Sequence, residues 1–225
     1  MPHLVLWDID HTLIDTQGVG RKLSAAAFEE VTGQPMQQQA QIDGITEAVI
    51  FRETAKLHGI NTDRTDFERF AEALTRQHAE RAAELRNRGH ALPGAAAALD
   101  ALSTANVRQT VVTGNIRAVA RIKLSVFGLD THIQWEAGAY GEDADLRPAL
   151  VELALNRSSV AASDVALIGD TPADVEGGRT AGVRVIAVAT GRTSAEALRD
   201  AGADAVIDDL TDVNTLTKLV VTDRL

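Results

Sequence analysis

The chain has 225 residues, with 22 Lys and Arg against 32 Asp and Glu, a formal charge of −10 and 45% hydrophobic content, the composition of a folded globular protein able to build one large domain or a core with one insertion. The acidic balance without a dense basic run argues against nucleic acid as a partner, and the lack of cysteine excludes disulfides, thiolate nucleophiles and thiolate-bound metals, so any metal must use oxygen or imidazole ligands. No stretch approaches the roughly 18 apolar residues of a membrane span and the start, MPHLVLWDID, does not read as a signal peptide, so a cytoplasmic enzyme or binding protein acting on a small molecule, with no membrane partner, is expected.

The first element is the apolar run HLVLWDID, which ends in two acids one residue apart, Asp8 and Asp10. Between about Thr16 and Gly89 no buried strand is expected, while helical periodicity is sustained. In TDFERFAEALTRQHAERAAEL, Phe67, Phe70, Ala71, Leu74, His78, Ala82 and Leu85 fall at three- and four-residue steps, and Thr65 with Glu68 offers a capping box. The rhythm then changes. PGAAAALDALSTA, NIRAVARIKLSVFG, RPALVELALNR and TSAEALRDAG read as helices, the last opened by a Thr193/Glu196 capping box. They alternate with VRQTVVTGN, DVALIGDT, VRVIAVATG and ADAVIDDL, short Val- and Ile-rich runs of the kind buried on both faces of a parallel sheet. The expected architecture is a doubly wound α/β core with a helical insertion.

Ligands of such sheets bind outside the carboxyl ends of the strands. Here those ends carry Asp8-Ile9-Asp10-His11-Thr12, then Thr113-Gly114-Asn115, then Gly169-Asp170 with Asp174 four residues on. Asp is common at strand ends and helix N-caps, and an Asp-x-Asp-x-Thr match arises by chance in about one chain of this length in twenty. Together with Gly-Asp-x-x-x-Asp, in this order and each directly after a buried strand, it is far rarer. Two carboxylates about 4 Å apart repel by about 4 kcal/mol at an effective dielectric near 20, so several converging on one point imply a divalent cation. With oxygen donors only, Mg2+ is the natural choice.

These residues resemble the haloacid dehalogenase superfamily, in its phosphoglycolate-phosphatase-like branch with a helical cap after the first motif. The resemblance rests on D8-I9-D10-H11-T12, on Thr113 within VVTGN, and on GDTPADV with Asp170 and Asp174; LPGAAAALDAL and ATGRTSAEALRDAGADAVIDDL look like the linker and tail of that branch. It implies a Rossmannoid parallel-sheet core over residues 1–15 and 90–225 and a C1-type helical cap over 16–89. It also implies a magnesium-dependent phosphatase acting on a small phosphorylated metabolite, in which Asp8 attacks phosphorus and forms an aspartyl-phosphate while Asp10 serves as acid and then base. Asp8, the backbone carbonyl of Asp10 and Asp170 would ligate the metal, with Asp174 in support; Thr113, Gly114 and Asn115 would hold the phosphoryl group.

Two departures from the family pattern matter. Many relatives have glycine where His11 stands; the histidine is read either as a substrate contact or as a residue facing the cap hinge. The usual third-motif lysine is replaced by the pair Arg147-Pro148, so Arg147 is expected to bind phosphate and neutralise the nucleophile, against the reading that it is a solvated helix-opening charge. Lys123, inside the helix after the second motif, is the other cation available. In the insertion, IDGITEAVIF places Asp43, Gly44 and Thr46 where they either meet substrate or cap a helix, and Arg52 is read as a surface charge. Two other functions share these residues: a phosphoglucomutase-like phosphotransferase and a non-catalytic phosphate-binding regulatory module. The identity of the ester and the oligomeric state are not legible.

Overall fold

The computed structural model describes residues 4–41 and 44–221. β1 (Leu4–Trp7), β4 (Arg108–Val111), β5 (Val165–Gly169), β6 (Arg184–Val188) and β7 (Ala205–Ile207) form a parallel sheet in the order β4-β1-β5-β6-β7. β2 (Ile14–Asp15) and β3 (His90–Ala91) pair separately as a short antiparallel ribbon. That ribbon bounds the helical segment, which comprises α1 (Val19–Thr32), α2 (Glu47–Leu57), α3 (Arg64–Glu80) and α4 (Ala82–Arg88). After it come α5 (Ala95–Thr104), α6 (Arg117–Val126), α7 (Arg147–Ser158), α8 (Pro172–Thr180), α9 (Ala195–Asp200) and α10 (Val213–Val221). Among the described residues no helix is long and apolar enough to cross a membrane.

The two-residue period of β1 sorts its side chains into two layers. Val5 and Trp7 pack with Ala98 and Leu99 of α5 and with Leu216 and Val220 of α10, whereas Leu4 and Leu6 pack with Leu150 and Val151 of α7 and Val175 of α8. Both faces are therefore dry, which is why the strands read as unbroken apolar runs. The polar side chains within β4 are satisfied: Trp7 Nε1 donates to Gln109 Oε1 at 3.0 Å, Gln109 Nε2 donates to the Leu99 carbonyl at 2.9 Å, and Thr110 Oγ1 donates to the Gln134 carbonyl at 2.7 Å.

The helical segment has its own core of Phe28, Phe51, Phe67, Phe70 and Leu74, closed underneath by Ile116 and Val119 at the start of α6. Phe51 and Phe70 stack with centroids 4.5 Å apart. The segment thus rests on the helix that follows the second strand tip. Two local expectations are corrected here. α3 is capped by Asp63, boxed with Asp66, rather than by Thr65 with Glu68. α9 is capped by Ser194, whose Oγ accepts from the Ala197 N–H, rather than by Thr193 with Glu196. The true cap lies two residues before the expected one in α3 and one after it in α9, where the backbone is still extended and the side-chain oxygen reaches the third helical N–H. The sustained stripe from Phe67 to Leu85 is also broken at Arg81, between α3 and α4.

Candidate active site

Asp8 continues the alternation of β1. It falls on the Leu4/Leu6 side, where α7 and α8 begin, and its N–H is held by the Ile168 carbonyl of β5 at 2.9 Å. Asp170 directly follows β5, and Asp174 sits in the first turn of α8, which opens with a Thr171/Asp174 capping box. One Asp174 oxygen, Oδ2, is occupied by that box through the Thr171 N–H and hydroxyl at 3.1 and 2.6 Å. The other, Oδ1, is buried without a hydrogen bond.

Asp8, Asp170 and Asp174 each bring a carboxylate oxygen within 4.8 Å of the others, and all three are buried. Arg147, the first residue of α7, is buried beside them. Its Nη1 lies 3.3 Å from Asp8 Oδ1 and donates to the Val112 carbonyl at 2.9 Å, while its Nε lies 3.2 Å from Asp174 Oδ1 without hydrogen-bond alignment. With all three carboxylates ionised, one guanidinium would leave the pocket two negative charges in excess. Burial, with Asp174 and Asp10 adding to it against the pull of Arg147, pushes the Asp8 carboxyl up to about 7. Burial together with the Asp8 and Asp174 charges pushes Asp170 up to about 9 despite the hydrogen bond from Thr12 Oγ1 at 3.1 Å. An all-oxygen donor set, an orphaned carboxylate oxygen and uncompensated charge together fit a hard divalent cation.

The Asp10 carboxylate is not part of this cluster. It turns toward α6, where Lys123 Nζ donates to its two oxygens at 2.8 and 2.7 Å and to Asn115 Oδ1 at 2.7 Å. Asn115 Nδ2 donates to Asp10 Oδ2 at 2.7 Å and to Thr113 Oγ1 at 2.8 Å. Burial favours the neutral acid, but the ammonium and the Asn115 amide outweigh it, and the Asp10 pKa is held below the usual carboxylate value. Any role of Asp10 in holding a metal would fall to its backbone carbonyl. The two cations therefore divide the acids, Arg147 meeting Asp8 and Asp174, Lys123 meeting Asp10. Sequence reasoning placed Arg147 first; what it lacked was that Lys123, in the last turn of α6, reaches the strand tip and is buried to 6% exposure.

Several close approaches need glycine. A Cβ on Gly114 would lie 2.3 Å from the Ile45 carbonyl, and the Gly114 carbonyl accepts from the Glu47 N–H at 2.8 Å; the helical segment is docked directly on the second strand tip. A Cβ on Gly191 would lie 1.8 Å from Asp170 Oδ2, so the turn after β6 can close over the acid only as glycine. His11 has φ 61°, in the left-handed region that glycine enters at no steric cost, which is the backbone reason for glycine at this place in the family pattern.

A cavity of about 370 Å³ lies between strand tips and helical segment, lined by Asp8, Asp10, His11, Thr113, Gly114, Asn115, Lys123, Arg147 and Asp170 from below and by Gly44, Ile45, Glu47 and His78 from above. Thr46 is buried, with its hydroxyl 3.5 Å from the Asp145 carbonyl. Asp43 lies outside the described residues. Arg52 pairs with Asp145 at 3.0 Å on the surface. Glu47 and His78 were not singled out as site residues from sequence: the first reads as a helix-opening acid, the second as one more step of an apolar stripe.

Comparison with known proteins agrees with this geometry. The family model of haloacid dehalogenase-like hydrolases matches residues 5–188. A phosphoglycolate phosphatase of Rhodospirillum rubrum is 29% identical over 216 residues, covering 93% of this chain and 88% of its own. A plasmid-encoded phosphoglycolate phosphatase of Cupriavidus necator is 32% identical over 123 residues, covering 54% of this chain and 53% of its own. Among solved structures, a hydrolase from Pseudomonas syringae superposes with a TM-score of 0.72 at 19% identity, covering 99% of this chain and 100% of that one.

Proposed function

The chain belongs to the haloacid dehalogenase-like hydrolase family, as a hydrolase of phosphoric monoesters, and on that premise we propose that it is a magnesium-dependent phosphatase working through an aspartyl-phosphate on Asp8. The observation that carries this reading is the convergence of Asp8, Asp170 and Asp174 within 4.8 Å of one another beside the cavity that Asp8 and Asp170 line. A resident Mg2+ held by Asp8, Asp170, Asp174 and the carbonyl of Asp10 would neutralise the excess charge and that of the phosphoryl group.

The chain's own residues supply the rest. Asp8 is fixed at a strand end, so its carboxylate can meet phosphorus in one orientation without reorganising. Arg147 pulls the Asp8 pKa down against burial and presents a guanidinium to the phosphoryl oxygens, with Thr113 Oγ1, Gly114 and Asn115 lining the same cavity. Asp10, one residue from the nucleophile but turned toward α6, is placed beside the departing oxygen. Held ionised by Lys123 and Asn115, it is in the form that takes a proton from the hydrolytic water. A leaving oxygen arriving next to it competes with Lys123 and raises its proton affinity for the first step. The helical segment excludes bulk water above.

The reading is tested by assaying the purified protein against a panel of phosphorylated metabolites, phosphoglycolate among them, with Mg2+ and with a chelator. Phosphate release that the chelator abolishes and Mg2+ restores is the expected result. No turnover across the panel would leave a phosphate-binding module instead, and transfer to an added sugar in preference to water would mark a phosphotransferase.

A further inference from the structure

His78 is the polar member of an otherwise apolar stripe on α3, 2% exposed and facing the cavity that holds Asp8 and Asp10. Its Nδ1 lies 2.9 Å from the Leu74 carbonyl oxygen. A carbonyl only accepts, so Nδ1 carries the ring proton and Nε2 presents a bare lone pair. Burial and the nearby Lys123 ammonium push the ring down to about 4, against the Leu74 bond and the Asp10 charge, so the imidazole is neutral. Nε2 has no hydrogen-bond partner among the described residues.

The neighbours do not satisfy it. Lys123, whose charge reaches the ring, spends its three protons on the two Asp10 oxygens and on Asn115. Glu47, another polar group of the helical segment lining the cavity, has a carboxyl that burial pushes up to about 7, with Lys123 opposing and Asp10 adding. A buried acceptor left without a hydrogen bond loses its hydration with nothing in return. His78 lines the same cavity as Asp10 and Lys123, where the phosphatase reading puts the departing alcohol.

We propose, resting on the phosphatase reading, that His78 Nε2 accepts a hydrogen bond from a hydroxyl group on the departing part of the substrate, which makes the substrate a polyol or sugar phosphate. A carboxylate in that position would meet the His78 lone pair, Glu47 and Asp10, with Lys123 already engaged. The remaining cation on the helical side of the cavity, Arg21, has an exposed side chain at its rim. The lone pair of His78 therefore selects a hydrogen-bond donor.

The test compares glycerol 3-phosphate with propyl phosphate, which matches its chain length and lacks both hydroxyls, and with phosphoglycolate, on wild-type protein, His78→Phe and His78→Gln. The wild type is expected to favour glycerol 3-phosphate over propyl phosphate by about tenfold or more in kcat/KM, because a site built to receive a hydroxyl discriminates against its absence. The ratio is expected to collapse toward one in His78→Phe and to recover in part in His78→Gln, which keeps an acceptor. An unchanged ratio in a folded His78→Phe overturns the proposal, as does a wild type that prefers phosphoglycolate or shows no preference for the hydroxylated ester. Should His78→Phe fail to fold by circular dichroism, the wild-type preference and the His78→Gln ratio decide. If no ester is turned over, the phosphatase reading fails separately, and calorimetric binding of the same three esters to the Mg2+-loaded protein reads the His78 preference alone.

Discussion

Asp8→Asn is expected to reduce Mg2+-dependent ester hydrolysis to background, a loss of at least about 10⁴-fold, because it removes the nucleophile rather than weakening a contact. The variant should stay folded. Asn keeps the shape of the side chain and removes one of three mutually repelling carboxylates from a buried site, so circular dichroism and the melting temperature of the metal-free protein should match wild type or exceed it. Residual turnover within about tenfold of wild type would mean that another group attacks phosphorus, and the role given to β1's tip would be lost.

Arg147→Ala carries the second large effect, on stability as well as rate. Arg147 is 6% exposed and, among the described residues, is the cation paired with both Asp8 and Asp174. Deleting one side of a buried ion pair strands the other, at a cost of about 3–5 kcal/mol. Chemical denaturation of the metal-free protein should show a loss of that order, and kcat should fall by about 10²–10³-fold in the folded fraction, as for removal of a phosphate-facing donor. Arg147→Lys should recover part of both, since it restores the charge but not the fork that reaches Asp8, Asp174 and the Val112 carbonyl together. An Arg147→Ala protein as stable and as active as wild type would make Arg147 a bystander and pass the phosphate role to Lys123.

The sheet was legible in the sequence because strands buried on both faces must be apolar throughout, and runs such as LVLW and VALIG permit no amphipathic alternative. The strand-tip acids were legible for the same reason: an acid directly after such a run has no place in a core and must meet a partner. What stayed hidden depends on distance rather than on pattern. Lys123 looks like any lysine of a surface helix until the docking of α6 against β1 brings it to Asp10. His78 satisfies the three- and four-residue spacing of a core stripe, and spacing does not reveal that one face of the stripe borders a cavity. The caps of α3 and α9 shifted by two residues and by one because two capable side chains stand close together at each start, Asp63 and Thr65 in one and Thr193 and Ser194 in the other, and only the backbone angle selects between them.

The claim on which the rest depends is that one hard cation sits among Asp8, Asp170 and Asp174. Crystals grown with Mn2+ in place of Mg2+ test it through the metal's anomalous scattering. The account predicts a single strong peak within bonding distance of oxygens from Asp8 and Asp170, lost in Asp170→Ala together with activity. A metal-dependent enzyme whose Mn2+ peak lies elsewhere, with those two carboxylates bound only to protein, would contradict it.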